Sequence, residues 1–226
     1  MTRHNLLRQA SLFAGLTDTE LQTLALTLHR HTFAPGIIIF HRDAPGNTLY
    51  LVEAGRVRIF LLSDAGQEIT LNFHGPGECF GELALLDGMA RSAGAITLEH
   101  TVVYALHRDD FLRHLRTHPH IAESILALLS RRLRQLTDYT ETLAFLDVYD
   151  RVVSKLLDLA ARYGVVGDGI LIDLPLTQGE LATWVVASRE RVNKALGMLR
   201  DRGLIDVDGK QITILDMDGL RRQIQR

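Results

Sequence analysis

The chain has 226 residues, 46% of them hydrophobic, which is enough for one large or two small packed domains, with two the default expectation. Its 25 Lys and Arg nearly balance 27 Asp and Glu, so the net charge does not announce a nucleic-acid partner and any DNA-binding surface has to be local. The single cysteine, Cys79, excludes a disulfide framework within one chain and any iron–sulfur or structural zinc site built on several thiolates.

No apolar run approaches the ~20 residues of a membrane span, and the first seven residues lack an apolar h-region, so a soluble cytoplasmic protein with no membrane partner is expected. Thr17-Asp-Thr-Glu20 reads as a capping box opening a short helix through Leu28. From about His31 to His107 the pattern changes to short β-branched or apolar runs at 37–40, 48–52, 57–62, 69–73 and 101–106. They are punctuated by Pro35-Gly36, Pro45-Gly46, Ala54-Gly55, Ala65-Gly66 and Gly75-Pro-Gly77. Regular spacing of this kind predicts a β-barrel or jelly roll.

After a short helix near 109–115, Pro119 stands where a helix tolerates it in the first turn, and about seven turns follow without Gly or Pro. Ala122, Leu126, Leu129, Leu133, Leu136, Thr140 and Leu143 recur there at alternating four- and three-residue steps. That is the seam of a parallel two-stranded coiled coil, with Leu126, Leu129, Leu133, Leu136 and Leu143 as the interface, or the apolar stripe of one helix lying on its own domain. An apolar-periodic helix over 146–162, stopped by Gly164, and a strand at 170–174 come next. Thr177-Gln-Gly-Glu180 is a second capping box, opening a helix to about Val186; a break follows at Ala187, and Ser188 can cap a helix to Arg202. Two helices joined this tightly are a helix-turn-helix, and the strands of 205–214 around Asp208-Gly209 add a hairpin, the wing of a winged helix.

Reading DNA asks for charged or amide side chains at the start of the second helix, and Arg189, Glu190, Arg191 and Lys194 stand there. The alternative is an ordinary charged solvent face, since residues 150–226 hold twelve Lys and Arg against eleven Asp and Glu. No nucleophile–base or metal constellation stands at recognisable spacing, so neither an enzyme nor a metal site is expected. A pure ligand-binding module acting on a partner protein would leave 177–214 without a role.

Three motifs resemble those of the cyclic-AMP receptor protein/FNR (CRP/FNR) superfamily of bacterial transcription regulators. Gly81-Glu82-Leu83 followed by Arg91-Ser92-Ala93 is similar to its phosphate-binding cassette, Leu143-Ala-Phe-Leu-Asp-Val148 to its hinge, and Ser188-Arg-Glu-Arg-Val192 to its recognition helix. The resemblance covers essentially the whole chain and implies an α+β architecture. A cyclic-nucleotide-binding jelly roll would occupy 1–118, a dimerisation helix and hinge 119–146, and a winged helix-turn-helix 147–226. It also implies a homodimer on a palindromic operator of TGTGA-like half-sites, RNA polymerase as a partner, and cyclic AMP as the non-covalent effector.

In such a cassette Arg91 pairs with the phosphate, Glu82 accepts the ribose 2′-hydroxyl, Gly81 lets backbone approach, and Ser92 with the N–H groups of Leu83 and Ala93 completes the shell. The resemblance further implies DNA contacts by Thr177, Gln178, Ser188, Arg189, Glu190 and Lys194. It makes His29 and His31 candidates for a polymerase contact, although the family's accompanying Lys is replaced by Asp110. Where cyclic-AMP-responsive members set a Thr-Ser pair against adenine, this chain has Leu136 and Thr137. Thr137 keeps a hydrogen bond to the purine; Leu136 forgoes one, about 0.5–1.5 kcal/mol, which predicts weaker binding or less dependence on cyclic AMP. Other effectors, or none, stay open; a haem would need His74 or Cys79 as axial ligand, and a lone His or Cys of that kind is more often structural.

Overall fold

In the computed structural model, which describes residues 2–174 and 176–224, the turn signals of the first half separate eight strands. They are β1 (His29–Phe33), β2 (Ile38–Phe40), β3 (Thr48–Ala54), β4 (Val57–Leu62), β5 (Glu68–His74), β6 (Cys79–Phe80), β7 (Gly94–Thr97) and β8 (Thr101–His107). They form two antiparallel four-stranded sheets, ordered β1-β8-β3-β6 and β2-β7-β4-β5, the jelly roll expected from the spacing.

Period-two alternation explains how the first sheet is buried on both faces. Tyr50 and Val52 of β3 and Val103 of β8 point inward with Phe80, meeting Val57 and Ala95 of the other sheet. Leu49, Leu51, Tyr104 and Leu106 point outward and are equally buried, covered by Leu6, Leu7, Phe13, Leu21 and Leu24 of an N-terminal helical layer. That layer comprises α1 (Arg3–Gln9), a 3-10 turn at Ser11–Phe13, and α2 (Asp18–Ala25), whose capping box forms between Thr17 and Glu20 as expected. A short helix, α3 (Glu82–Asp87), sits between β6 and β7, and α4 (Arg108–Thr117) follows β8.

The long helix is α5 (Ile121–Phe145), 25 residues and so about 37 Å. It carries two apolar stripes. Ile121, Ile125, Leu128 and Leu129 pack on the N-terminal core, so Leu129 is half-buried within its own unit. Leu126, Leu133 and Leu136 are 64%, 66% and 58% exposed, and Leu143 37%, leaving the rest of the seam uncovered in a single chain.

The chain divides into two compact units, Met1–Arg134 and Gln135–Arg226, so α5 continues from one into the other. In the second unit α6 (Val148–Tyr163) is capped by Asp147, which accepts from the Asp150 amide, and starts two residues later than its apolar pattern suggests. β9 (Gly164–Val166), β10 (Ile170–Ile172), β11 (Ile205–Asp208) and β12 (Gln211–Ile214) form one antiparallel sheet ordered β11-β12-β10-β9. α6 and α8 (Arg189–Asp201) lie against it, α7 (Gln178–Trp184) packs on α8 and α9 (Met217–Arg221) on α6, with Val152, Val153, Leu156, Leu159, Val192, Leu196 and Leu199 buried. The two-residue loop of the β11–β12 hairpin is Gly209-Lys210, one position beyond the Asp208-Gly209 pair read from the sequence, with Gly209 at φ +58°.

Thr177 accepts from the Glu180 amide at 3.1 Å while its own amide donates to Glu180 Oε2 at 2.7 Å, a complete capping box at the start of α7. Thr177→Ala should lower the stability of the C-terminal unit by about 1 kcal/mol, read as a shifted urea midpoint, and Thr177→Ser should restore most of it.

Candidate effector pocket and DNA-reading surface

The candidate site is built around a buried guanidinium. Arg91 lies in the loop before β7, and that loop is tied to the one before β3 by backbone bonds from Arg91 N to Ala44 O, 2.9 Å, and from Asp43 N to Arg91 O, 2.8 Å. The side chain is 4% exposed. Its Nη1 donates to Gly81 O at 2.8 Å and its Nη2 to Thr48 O at 2.7 Å, and the guanidinium carbon stands 4.2 Å from the centre of the Phe40 ring. Burial pulls its pKa down, opposed by Tyr50 and Glu82; an arginine starts so far above neutrality that it stays charged. Gly81 makes the close approach possible: it caps α3 at φ +79°, and a Cβ there would stand 2.5 Å from Arg91 Nη1.

Glu82, the first residue of α3, is 2% exposed. Its Oε1 is held by Nη1 of Arg132, a residue of α5 that also donates to Cys79 O at 3.2 Å. Two buried atoms of the pair of opposite charges have no hydrogen-bond partner: Arg91 Nε and Glu82 Oε2. Leu83 and Ser92, the other cassette side chains, are exposed, and Thr137 is an exposed residue of α5 belonging to the C-terminal unit. Arg132 was not among the sequence candidates; fifty positions from Glu82, it carries no local signal of that role.

His74 and Cys79, the conceivable haem ligands, are both buried. Burial, with help from Arg132, pulls the His74 pKa down to about 3, and burial with the Glu82 charge pushes the Cys79 thiol up, so both are neutral in the fold. His74 Nδ1 has no hydrogen bond and lies 4.0 Å from Glu78 Oε2. His29 and His31 are exposed on β1, and Asp110 pairs with Arg113 at 2.9 Å.

The second surface is the start of α8. Ser188 caps it by accepting from the Arg191 amide at 3.4 Å. Val192, Ala195, Leu196 and Leu199 form its buried face, which leaves Arg189, Glu190, Arg191, Asn193 and Lys194 exposed on the other. Among the described residues no salt bridge occupies Arg189, Glu190 or Lys194, so their donors and acceptors face solvent. Thr177 and Gln178 mark the start of α7, and Val186, between the two helices, has a left-handed backbone at φ +51°.

Residues 30–118 match a family model described as a cyclic nucleotide-binding domain, and residues 150–223 one described as a Crp-like helix-turn-helix domain. A CRP-like cAMP-activated global transcriptional regulator of Mycobacterium tuberculosis is 36% identical over 219 residues, 96% of this chain and 98% of the relative. This chain belongs to the CRP/FNR superfamily. It is a DNA-binding transcription regulator with a cyclic nucleotide-binding domain, in a family of regulators rather than enzymes. The cyclic AMP receptor protein of Thermus thermophilus is 37% identical over 88% of this chain and 89% of its own length. Among solved structures, the c-di-GMP responsive regulator CLP of Xanthomonas campestris superposes with a TM-score of 0.76 at 28% identity, covering 88% of this chain and 99% of that one. Among the described residues no helix is long and apolar enough to cross a membrane, and no three His, Cys, Asp or Glu are placed to hold a metal ion.

Arg132→Ala leaves the buried Glu82 carboxylate without its cation and should destabilise the N-terminal unit by on the order of 2 kcal/mol, discounted for the partial exposure of Arg132. Adding Glu82→Gln should recover much of that loss in a double-mutant cycle, whereas additive losses would show that the pair is not coupled. A second expectation concerns acid. The unfolded chain takes up a proton at His74 below about pH 6.5, and the folded chain refuses it down to about pH 3. Stability is therefore full above pH 6.5 and falls as pH drops towards 3, by up to about 1.4 kcal/mol per unit from this group. His74→Leu should flatten the melting temperature against pH across that window.

Proposed function

We propose that this regulator works as a homodimer whose operator affinity is set by cyclic AMP, bound in the N-terminal unit through Gly81, Glu82, Leu83, Arg91 and Ser92. The observation that carries this reading is the pair of opposite buried charges with one unsatisfied atom each, Arg91 Nε and Glu82 Oε2. An isolated buried polar atom costs free energy, and a ligand with a phosphate anion near a sugar hydroxyl relieves both at once. The phosphate gives Arg91 Nε the anionic acceptor it lacks, while the Gly81 and Thr48 carbonyls keep Nη1 and Nη2 satisfied. The 2′-hydroxyl donates to Glu82 Oε2, while Arg132 keeps Oε1 satisfied. The 36% identical relative, described as cAMP-activated, supports cyclic AMP over other effectors. CLP, described as c-di-GMP responsive, is the reason to test the choice.

The uncovered Leu126, Leu133, Leu136 and Leu143 favour a parallel α5–α5 interface, since exposed apolar side chains in register gain most by packing on their own copy. A dimer presents two copies of α8 to the two halves of an inverted repeat. Arg189 gives bidentate bonds to guanine, Glu190 accepts from cytosine, and Lys194 holds a base edge or phosphate without the planar fork of an arginine. Thr177, Gln178 and Ser188, at the helix starts, contribute phosphate contacts. RNA polymerase is the expected downstream partner, with His29 and His31 as exposed candidates. Leu136 beside Thr137 makes the dependence on cyclic AMP weaker than a full pair of hydroxyl groups would.

The reading is tested by anisotropy titration of a labelled TGTGA-type palindrome with and without cyclic AMP at one stated salt concentration, against a scrambled duplex. Specific binding that tightens with cyclic AMP is expected, with the response abolished by Arg91→Gln. Specific binding indifferent to the nucleotide would remove the effector and leave the regulator. In the same assay Arg189→Ala should cost about 1–3 kcal/mol and flatten preference at one base position; an equal loss on every sequence would make Arg189 a phosphate contact.

A further inference from the structure

The C-terminal unit holds a cleft that DNA reading does not use. It lies among Asp138 and Tyr139 of α5, Arg151 and Lys155 of α6, and Trp184 at the end of α7, with a volume of about 190 Å³. Three cations line it, Arg151, Lys155 and Arg162, against two carboxylates, Asp138 and Asp158. The pairing is uneven. Asp158 is shared between Lys155, at 3.1 Å, and Arg162, at 2.8 Å. Arg151 has no acidic partner among the described residues, and its buried Nε makes no hydrogen bond. The neighbouring Asp150 does not supply the missing charge: burial and Asp147 push its carboxyl up, the reverse of what a paired guanidinium would do. Lys155 stands 4.1 Å from the centre of the Trp184 ring, and Tyr139 donates weakly to Trp184 O at 3.5 Å, which gives the cleft one aromatic wall.

We propose that this cleft is a second binding site, for a small organic anion bearing a carboxylate or phosphate, with Arg151 as its principal contact. A half-buried guanidinium without a counter-charge gains most from an anion, and an arginine fork matches either group bidentately. The volume is below the roughly 300–1,000 Å³ of sites for drug-sized ligands, which selects a small acid over a nucleotide. An occupant would bridge Arg151 of α6 to the Trp184 end of α7, the first helix of the helix-turn-helix. The inference stands apart from the cyclic-AMP reading, since it uses no residue of the N-terminal unit.

Trp184 is the protein's single tryptophan, so its fluorescence reports on the cleft directly. The full chain is titrated with citrate and, separately, inorganic phosphate, with sodium chloride holding the ionic strength constant. A saturable change with at least one of the two is expected, and the arm that saturates at lower concentration identifies the class. Half-saturation should rise at least tenfold in Arg151→Gln, fall in Asp138→Asn, and be unchanged in Arg91→Gln. A signal that merely tracks ionic strength, or one that Arg151→Gln leaves intact, would overturn the site. If Arg151→Gln does not melt cooperatively, Asp138→Asn decides, because only an anion gains from losing that carboxylate. Cyclic AMP producing the same change in Arg91→Gln but not in Arg151→Gln would overturn the assignment to a small acid. Operator anisotropy, run in parallel on each variant, shows whether DNA binding stands when the site fails.

Discussion

Burying an arginine inside a β-sandwich is the constraint around which the N-terminal unit is arranged. A desolvated guanidinium is costly unless its donors are met, and Arg91 has both Nη groups met by main-chain carbonyls instead of by a carboxylate, with Nε left over. That choice dictates local geometry. The Gly81 carbonyl has to be close, so the chain turns through a left-handed glycine at the start of α3. The Thr48 carbonyl has to be free of the sheet ladder at that point, so the first residue of β3 supplies it. Phe40, Tyr50 and Phe80 then form a stacked wall against which the cation lies. Neutral acceptors hold the cation in place without cancelling its charge, so the attraction for an anion is retained.

Glu82 illustrates the complementary arrangement. Direct pairing with Arg91 would satisfy both side chains and close the site; Arg132 takes half of the carboxylate instead, and one oxygen remains over. Because Arg132 belongs to α5, the charge balance of the pocket is tied to the helix that also carries the uncovered leucines. The charge balance around Glu82 and the packing of α5 thereby share one residue within the N-terminal unit, the kind of shared element that coupling between sites requires.

Much of this was legible in the sequence where a physical signal is local. Both capping boxes form at Thr17 and Thr177, Ser188 caps α8, and the turn residues bound the strands they were expected to bound. Elements without a local signal were not legible. β1, His-Arg-His-Thr-Phe, shows only the exposed polarity of a strand edge at His29-Arg-His31, and its pairing with β8 is what the sequence does not carry. α3 has six residues, α1 seven and α9 five, too few for a period to show. β9 is exposed at each of its three positions and exists through β10. In the site, Gly81, Glu82 and Arg91 were singled out by motif, and the structure buries the side chains of Glu82 and Arg91. Arg132 and the uneven charges around Arg151 emerge only when distant segments are brought together, because spacing in sequence carries no information about them.

The left-handed backbone at Val186 bears on how portable the DNA-reading helices are. A β-branched residue in that conformation costs on the order of 1–3 kcal/mol, and here it occupies the turn itself. The bend is held by what surrounds it: Leu181, Trp184, Val185 and Val192 are buried in the unit's core. Cut out as a peptide spanning 177–202, the two helices would lose that packing and the turn would relax. A chimaera that borrows this operator specificity therefore has to take the whole of the C-terminal unit, or place at position 186 a residue that needs no such support.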